Sequence, residues 1–372
     1  MKRPIALLLL VPAFVSVASA QDYTVTFLGT LGGAGSDSAG ISDTGYVTGF
    51  SGIHAFVWKD GTMTDLGTLG GIGSRSMGQA VNASGDVVGW SDSHAFLYQN
   101  GTMRDIGGQY GWGINDAGTA VGSTLVNYVS GFLSSPFIYN YGTTVLYFEG
   151  SAQAINNLGQ VVGYGVGSNG NSRYSRAFLY QHGVVTDLGL PVNGSFASSS
   201  AMGISENGNF IVGSAGTTTA TGAPTRIAFL DSRGKMIALG TLGGAASWGL
   251  SVNNSGEVVG FSDVSSVAGR PDTQDAFLYR NGKMVDLNSL ISPNLDIQLQ
   301  MATGINDEGW IAATAWNDAT GAEAVLLKPS GRGVPEPATL GLLGLGITVL
   351  ALAQGRHRLP NLERCPPPKW NG

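Results

Sequence analysis

Apolar positions along this chain fall in short runs of five or six residues, broken by Gly, Asn and Asp. Residues 74–107, SRSMGQAVNASGDVVGWSDSHAFLYQNGTMRDIG, show the pattern. A small-residue strand is predicted over 77–82, followed by the turn Asn82-Ala83-Ser84-Gly85, where glycine accepts a positive φ at no steric cost. A second strand follows over 86–90 and a third over 94–99. Asn100-Gly101 is a strong hairpin signal, and a fourth strand over 102–106 closes the unit. No stretch of this region carries a helical period, because the runs are short and glycine interrupts them.

The unit repeats. An apolar-[Asn/Ser]-x-x-Gly anchor places its glycine at Gly45, Gly85, Gly118, Gly159, Gly208, Gly256 and Gly309. A second anchor, Ala-Phe-apolar-aromatic, places its phenylalanine at Phe56, Phe96, Phe137, Phe178, Phe229 and Phe277, with Val325 in the seventh place. Successive spacings are 40, 41, 41, 51, 48 and 48 residues, a period that fits the four-stranded blade of a β-propeller. The fourth-strand pattern also occurs seven times, but its first copy, TVTFLG at 24–29, precedes the first full unit. The last unit has three strands and stops. Pairing the orphan with the unfinished unit yields twenty-eight strands and leaves no open edge between first and last blades. The expectation is an all-β, seven-bladed β-propeller of four-stranded blades over 21–330, closed by the N-terminal strand. The Gly/Ala-rich strand of each unit should be innermost, where seven strands crowd one axis.

Composition agrees. Of 372 residues 58 are glycine, against roughly 7% in average proteins, and only 12% are charged. The low charge suits blades that pack on both faces. A net charge of −6 argues against nucleic acid, whose phosphates require a basic surface. One cysteine excludes an intrachain disulfide framework and a cysteine-based zinc site.

Both ends carry addresses. Residues 1–20, MKRPIALLLLVPAFVSVASA, combine a basic start, an apolar run and a small-residue cleavage site ending at Ala20. A cleaved signal peptide is expected, with an uncleaved anchor as the alternative. At the other end Pro335-Glu336-Pro337 precedes an apolar stretch, 338–353, and then Arg356, His357 and Arg358. Sixteen helical residues span roughly 24 Å, short for a hydrocarbon core of about 30 Å. Basic residues at its end suit a stop-transfer segment that keeps positive charge inside. The alternative is a buried terminal helix.

The stretch VPEPATLGLLGLGITVLALAQGRHR, within 331–358, resembles a PEP-CTERM sorting segment. That resemblance implies a Gram-negative exported protein handled by signal peptidase and then by an exosortase-type membrane peptidase, often beside exopolysaccharide production. It implies membrane anchoring through 338–353 before processing. The chain departs from the pattern by continuing in a Pro-rich tail, 359–372, which holds Cys365. The repeats HAFVWKDGTMTDLGTLGG (54–71), HAFLYQNGTMRDIGG (94–108), RAFLYQHGVVTDLG (176–189) and DAFLYRNGKMVDL (275–287) resemble the HAF-repeat family of extracellular proteins. This second resemblance supports the architecture and implies no catalytic residue.

Reactive constellations are absent from the sequence. His54 and His94 share a repeat position, but Ser135, Arg176, Ile227, Asp275 and Glu323 fill it elsewhere, so no ring of metal ligands is expected. Asp65, Asp105, Asp187 and Asp286 also share a position; spread around a ring, they read as turn or inter-blade hydrogen-bonding groups. The Asn-Asp-x-Gly turns at 115–118 and 306–309 lack the ligand spacing calcium needs. Residues 165–170, GVGSNG, match a dinucleotide fingerprint formally but open no helix, so no cofactor is expected.

Connections between second and third strands lengthen in units three to six, over 123–135, 164–175, 214–225 and 261–274. They should form elaborated loops on one face. Elaborated loops on a rigid scaffold are common binding sites. Trp90, Tyr110, Trp112, Tyr164, Trp248, Phe261 and Trp316 lie at strand ends nearest that face, and aromatic faces can stack on sugars. Packing between blades is the competing role. Trp58, Tyr98, Tyr139, Tyr180 and Tyr279 recur in the third strand and read as core. The expected function is an exported, surface-associated binding or structural module for extracellular polysaccharide or a protein partner. A glycan lyase or hydrolase is the alternative, and would need carboxylates or histidines converging near the axis.

Overall fold

A computed structural model of the chain describes residues 22–331, apart from position 34 and the short stretches 129–130, 169–172, 219–223 and 266–273. The signal segment 1–20, the sorting segment with its apolar stretch 338–353, and the tail 359–372 lie outside the described residues. So do the expected processing residues Ala20, Pro335, Glu336, Pro337, Arg356 and Arg358. Among the described residues no helix is long and apolar enough to cross a membrane.

The described strands form seven sheets of four antiparallel strands each. Six blades are built from consecutive strands, inner to outer. Blade 7 takes its inner three strands from the end of the chain and its outer strand, Tyr23–Phe27, from the beginning. Tyr23 lies opposite Pro329 and Phe27 opposite Val325. The closing strand also behaves as an outer strand at its end. In blades 1, 4 and 5 the outer strand leads into a Leu-Gly whose glycine carbonyl accepts from a serine of the next blade: Gly67 from Ser76, Gly189 from Ser199, Gly240 from Ser247. Each serine Oγ in turn accepts from the Ala55, Ala177 or Ala228 N–H of the preceding blade. At the closing junction Gly29 accepts from Ser36, which accepts from Ala324 N–H.

Seven clusters of buried apolar side chains fill the seven junctions, each drawing on two neighbouring blades. At the closing junction Leu28, Val47, Phe56 and Trp58 pack on Ala312, Ala324 and Leu326. This explains the Ala-Phe anchor. Ala55, Ala95 and Ala276 are fully buried, as are Phe56, Phe96, Phe229 and Phe277. Each such phenylalanine contributes about 1.5–3 kcal/mol of burial. The third-strand aromatic row departs from the pattern in blade 5, where Asp231 stands in the place of Trp58 and is 4% exposed. Its Oδ1 accepts from Gly234 N–H, its Oδ2 has no partner, and burial pushes the carboxyl above the usual range.

The inner strands share a device that the hydrophobic pattern conceals. Every one of the seven carries a β-bulge at the same place, two to four residues before the Asn/Ser anchor. In blades 1 to 6 a glycine of the second strand faces the bulge: Gly49, Gly89, Gly122, Gly163, Gly213 and Gly260. A Cβ on Gly89 would overlap the carbonyl oxygen of Met77, and the other five meet the equivalent carbonyl. The abundant glycine thus serves the bulges as well as the turns. At the hairpin turns the backbone is left-handed at both central residues, as at Asn100 (φ 52°) and Gly101 (φ 77°).

The long second-to-third connections of blades 3 to 5 are strand for most of their length. Their strands continue: Ala120–Tyr128 pairs with Gly131–Tyr139, and Phe210–Thr218 with Pro224–Ser232. In blade 1 the corresponding strands, Val47–Ser51 and His54–Lys59, span 5 and 6 residues. Backbone groups on a long projecting segment find partners most simply in each other, and a hairpin supplies them.

Substituting Gly89→Ala should lower stability by about 1–3 kcal/mol through overpacking against Met77. Urea denaturation of the mature domain measures it. An unchanged midpoint would show that the bulge does not need the close approach.

Candidate functional site

The inner strands end in turns that clasp one another around the axis. In blades 2, 3, 4, 6 and 7 the anchor is asparagine. Its Oδ1 accepts from the backbone of its own turn, as Asn82 does from Ser84 and Asp86 N–H. Its Nδ2 donates to the anchor carbonyl of the next blade: Asn82 to Asn115, Asn115 to Asn156, Asn156 to Ser205, Asn253 to Asn306, and Asn306 to Ser42. Blades 1 and 5 have serine anchors, too short to reach. There a residue two positions on does the work: Thr44 Oγ1 donates to Ala83 C=O and Asn207 Nδ2 to Asn254 C=O. Every junction therefore carries a side-chain-to-backbone bond.

The residue after the anchor adds a second ring. Ala83 N–H donates to Asp116, Asn157 N–H to Glu206, Asn254 N–H to Asp307, and Asp307 N–H to Asp43. Asp43, Asp116, Glu206 and Asp307 line one cavity of about 120 Å³ at this end of the axis. Burial raises the Glu206 carboxyl to about 7; the Asn157 N–H opposes this, and the carboxylates of Asp43, Asp116 and Asp307 add to it. Asp43 is raised too, again by burial first. These carboxylates were not selected in the sequence. The signal was the non-glycine position beside a repeated turn anchor, which looks like ordinary surface.

Above them lies a larger axial cavity of about 380 Å³, lined by the inner strands of all seven blades. The bulges determine what faces it. Residues at the bulge are Ala39, Gln79 and Trp112 in blades 1 to 3, then Gln153, Met202, Leu250 and Thr303 in blades 4 to 7, and all line the cavity. Their neighbours toward the turn are uniform: a small residue, then Ile or Val. Met77 and Met301, two positions before the bulge, and Glu206, just past the turn anchor, also line the cavity. Gln79 and Gln153 flank Trp112 on successive blades.

The seven sequence-predicted aromatics divide into groups. Trp90 meets Tyr110 edge-on, with centroids 6.3 Å apart, and Tyr110 stacks on Trp112 at 5.6 Å. This run leads from the second strand of blade 2 into the axial cavity. Trp248 and Phe261 stack on each other at 4.7 Å within blade 6. Tyr164 and Trp316 join neither group; Trp316 is 41% exposed and donates to Asp318. Trp90, Tyr164 and Phe261 each follow the bulge-facing glycine of their strand, and Phe50 holds that position in blade 1. Sequence reasoning missed Phe50, although the residue after Val-Thr-Gly marks it.

The recurring acids are turn caps. Asp65, Asp105 and Asp187 accept from Gly67, Gly107 and Gly189 N–H at 2.7–2.8 Å, and Asp286 from Asn288 N–H at 2.8 Å. His54 and His94 hold Asp65 and Asp105 through Nδ1 at 2.9 and 3.0 Å. Among the described residues no group of three or more metal-ligating side chains is gathered.

Residues 333–358 match the PEP-CTERM protein-sorting motif, which supports export, membrane-anchored sorting and processing by an exosortase-type enzyme. Residues 191–326 match a family described as a protein of unknown function, DUF3466. No curated protein matches the chain in sequence. Among solved structures the chain is similar to the extracellular domain of a hybrid two-component system from B. thetaiotaomicron, at 12% identity and a TM-score of 0.46, over 82% of this chain and 40% of that one. It thus spans less than half of that chain's length. It is also similar to the β-propeller domain of the Trilobed protease from Pyrococcus furiosus, at 7% identity and a TM-score of 0.45, over 81% of this chain and 99% of that one.

Glu206 makes stability depend on pH. In the unfolded chain it ionises near its ordinary value of 4.5, and in the folded chain near about 7. Between those values the folded chain holds a proton that the unfolded chain has lost, so this group lowers stability as pH rises from 4.5 to about 7, with no further change above. Glu206→Gln keeps an acceptor for Asn157 N–H and removes the charge. Its melting temperature should gain on the wild type between pH 5 and pH 8. Parallel curves would contradict the assignment.

Proposed function

We propose that the mature propeller is an exported, surface-associated binding module that holds extracellular polysaccharide at the axial mouth, on the face carrying the long hairpins. The observation that carries the reading is the Trp90–Tyr110–Trp112 run, which brings an indole to the axial cavity between two amide side chains. A sugar ring has an apolar face for the indole and hydroxyls at its edge for Gln79, Gln153 and Thr303. Trp248 and Phe261 form a second aromatic pair on the same kind of strand end; in this reading Tyr164 and Trp316 extend the contact outward. The resemblance of the repeats to HAF-repeat extracellular proteins and the PEP-CTERM sorting motif support this reading, in which the domain works at a cell surface bearing exopolysaccharide.

A second reading, a glycan-active enzyme, draws on Glu206. Its carboxyl, raised to about 7, lines both axial cavities and could act as a general acid. The first reading is favoured because all four axial carboxylates are already engaged by backbone N–H groups of the neighbouring blade.

Co-sedimentation of the mature domain with native exopolysaccharide separates the two. Trp112→Ala should weaken binding roughly tenfold or more, a loss of about 1.4 kcal/mol, in a domain that circular dichroism shows still folded. Retained affinity would reject the module reading. Release of reducing ends, abolished by Glu206→Gln, would establish the enzyme instead.

A further inference from the structure

The charge around the axis narrows the ligand further. Among the described residues Glu206 is the one charged side chain lining the upper cavity, and no Lys or Arg lines either axial cavity. The lower cavity adds Asp43, Asp116 and Asp307. The two cavities meet at Ile41, Val81, Ile114 and Ile204, which line both, so carboxylates stand directly beyond the apolar end of the upper one. Among the described residues, three arginines of the long hairpins have partners of their own. Arg173 pairs with Glu149, Arg176 donates to Ala197 C=O and lies over the Tyr174 ring, and Arg226 donates to Ser214.

Resting on the binding reading above, we infer that the axial cavity takes the uncharged terminal sugar of a glycan and discriminates against uronate termini. A volume of about 380 Å³ suits a chain end rather than a long segment. The indole of Trp112 and the amides of Gln79 and Gln153 offer stacking and hydrogen bonds that need no charge on the sugar. A carboxylate brought into this cavity meets Glu206 and the carboxylates beyond it, with no Lys or Arg among the described lining residues to offset them. Like charges in a partly desolvated site repel strongly, and the repulsion works as a device of specificity.

The test uses matched probes on the mature domain: glucose and glucuronate oligosaccharides of equal length, and galactose with galacturonate. Affinities are measured at pH 8, where Glu206 is ionised, in low salt and in 0.5 M salt (about the range over which exposed charges become screened). Neutral oligosaccharides should bind at least tenfold tighter than their uronate partners in low salt. Both Glu206→Gln and high salt should narrow that ratio. Uronate binding equal to or tighter than neutral binding, and lost in Trp112→Ala, would overturn the charge inference and leave the binding module standing. No Trp112-dependent binding of any probe would overturn both.

Discussion

Closure of the ring is the constraint on which the molecule depends. A propeller blade buries its faces only against two neighbours, so a missing junction exposes two apolar faces at once. Here the N-terminal strand completes blade 7 by pairing Tyr23–Phe27 with Gly321–Pro329. The closing junction is built from the same parts as the others: a buried serine bridge, an apolar cluster and an axial clasp from Asn306 to Ser42. Nothing marks it as a seam except the break in the chain. One consequence is that the two ends leave the domain side by side, since Tyr23 and Pro329 are direct partners.

A second constraint turns this scaffold into a candidate site. Seven inner strands around one axis leave little room, and small residues fill most of it. The bulge releases one residue per strand from that restriction and aims it at the axial cavity. It requires a backbone approach in the second strand so close that blades 1 to 6 use glycine. Structure and recognition are thereby separated within a few residues. The anchor asparagine, the small residue and the branched aliphatic residue repeat, while the bulge position runs from alanine to tryptophan.

Blade number, strand order and closure were legible in the sequence because they follow from repeated local signals. Paired glycine turns, the Ala-Phe anchor and the orphan TVTFLG sufficed. The axial site was legible only in part. Trp112 was identified as an aromatic at a strand end near the long-connection face, but its bulged position depends on pairing with a second strand, which periodicity does not express. The carboxylate ring was missed because Asp43, Asp116, Glu206 and Asp307 are far apart in sequence and meet only through closure. Compensations between distant positions are visible once the fold is known. Pro136, without an N–H, replaces the junction alanine, and Gly150 stands where the serine acceptor would be. Thr44 and Asn207 take over where serine anchors are too short. The long connections read as loops because they lie outside the repeated pattern, which carries no signal for the extended hairpins of blades 3 to 5.

Hydrogen exchange of the mature domain tests closure most directly. Amides of residues 23–28 that bond to the third strand of blade 7, including Leu28 N–H to Ala324 C=O at 3.0 Å, should be protected as well as those of interior strands. They should open only with global unfolding, although they lie at the start of the chain. Exchange at the rate of an unstructured N-terminus, with the rest of the domain still protected, would contradict the closed ring.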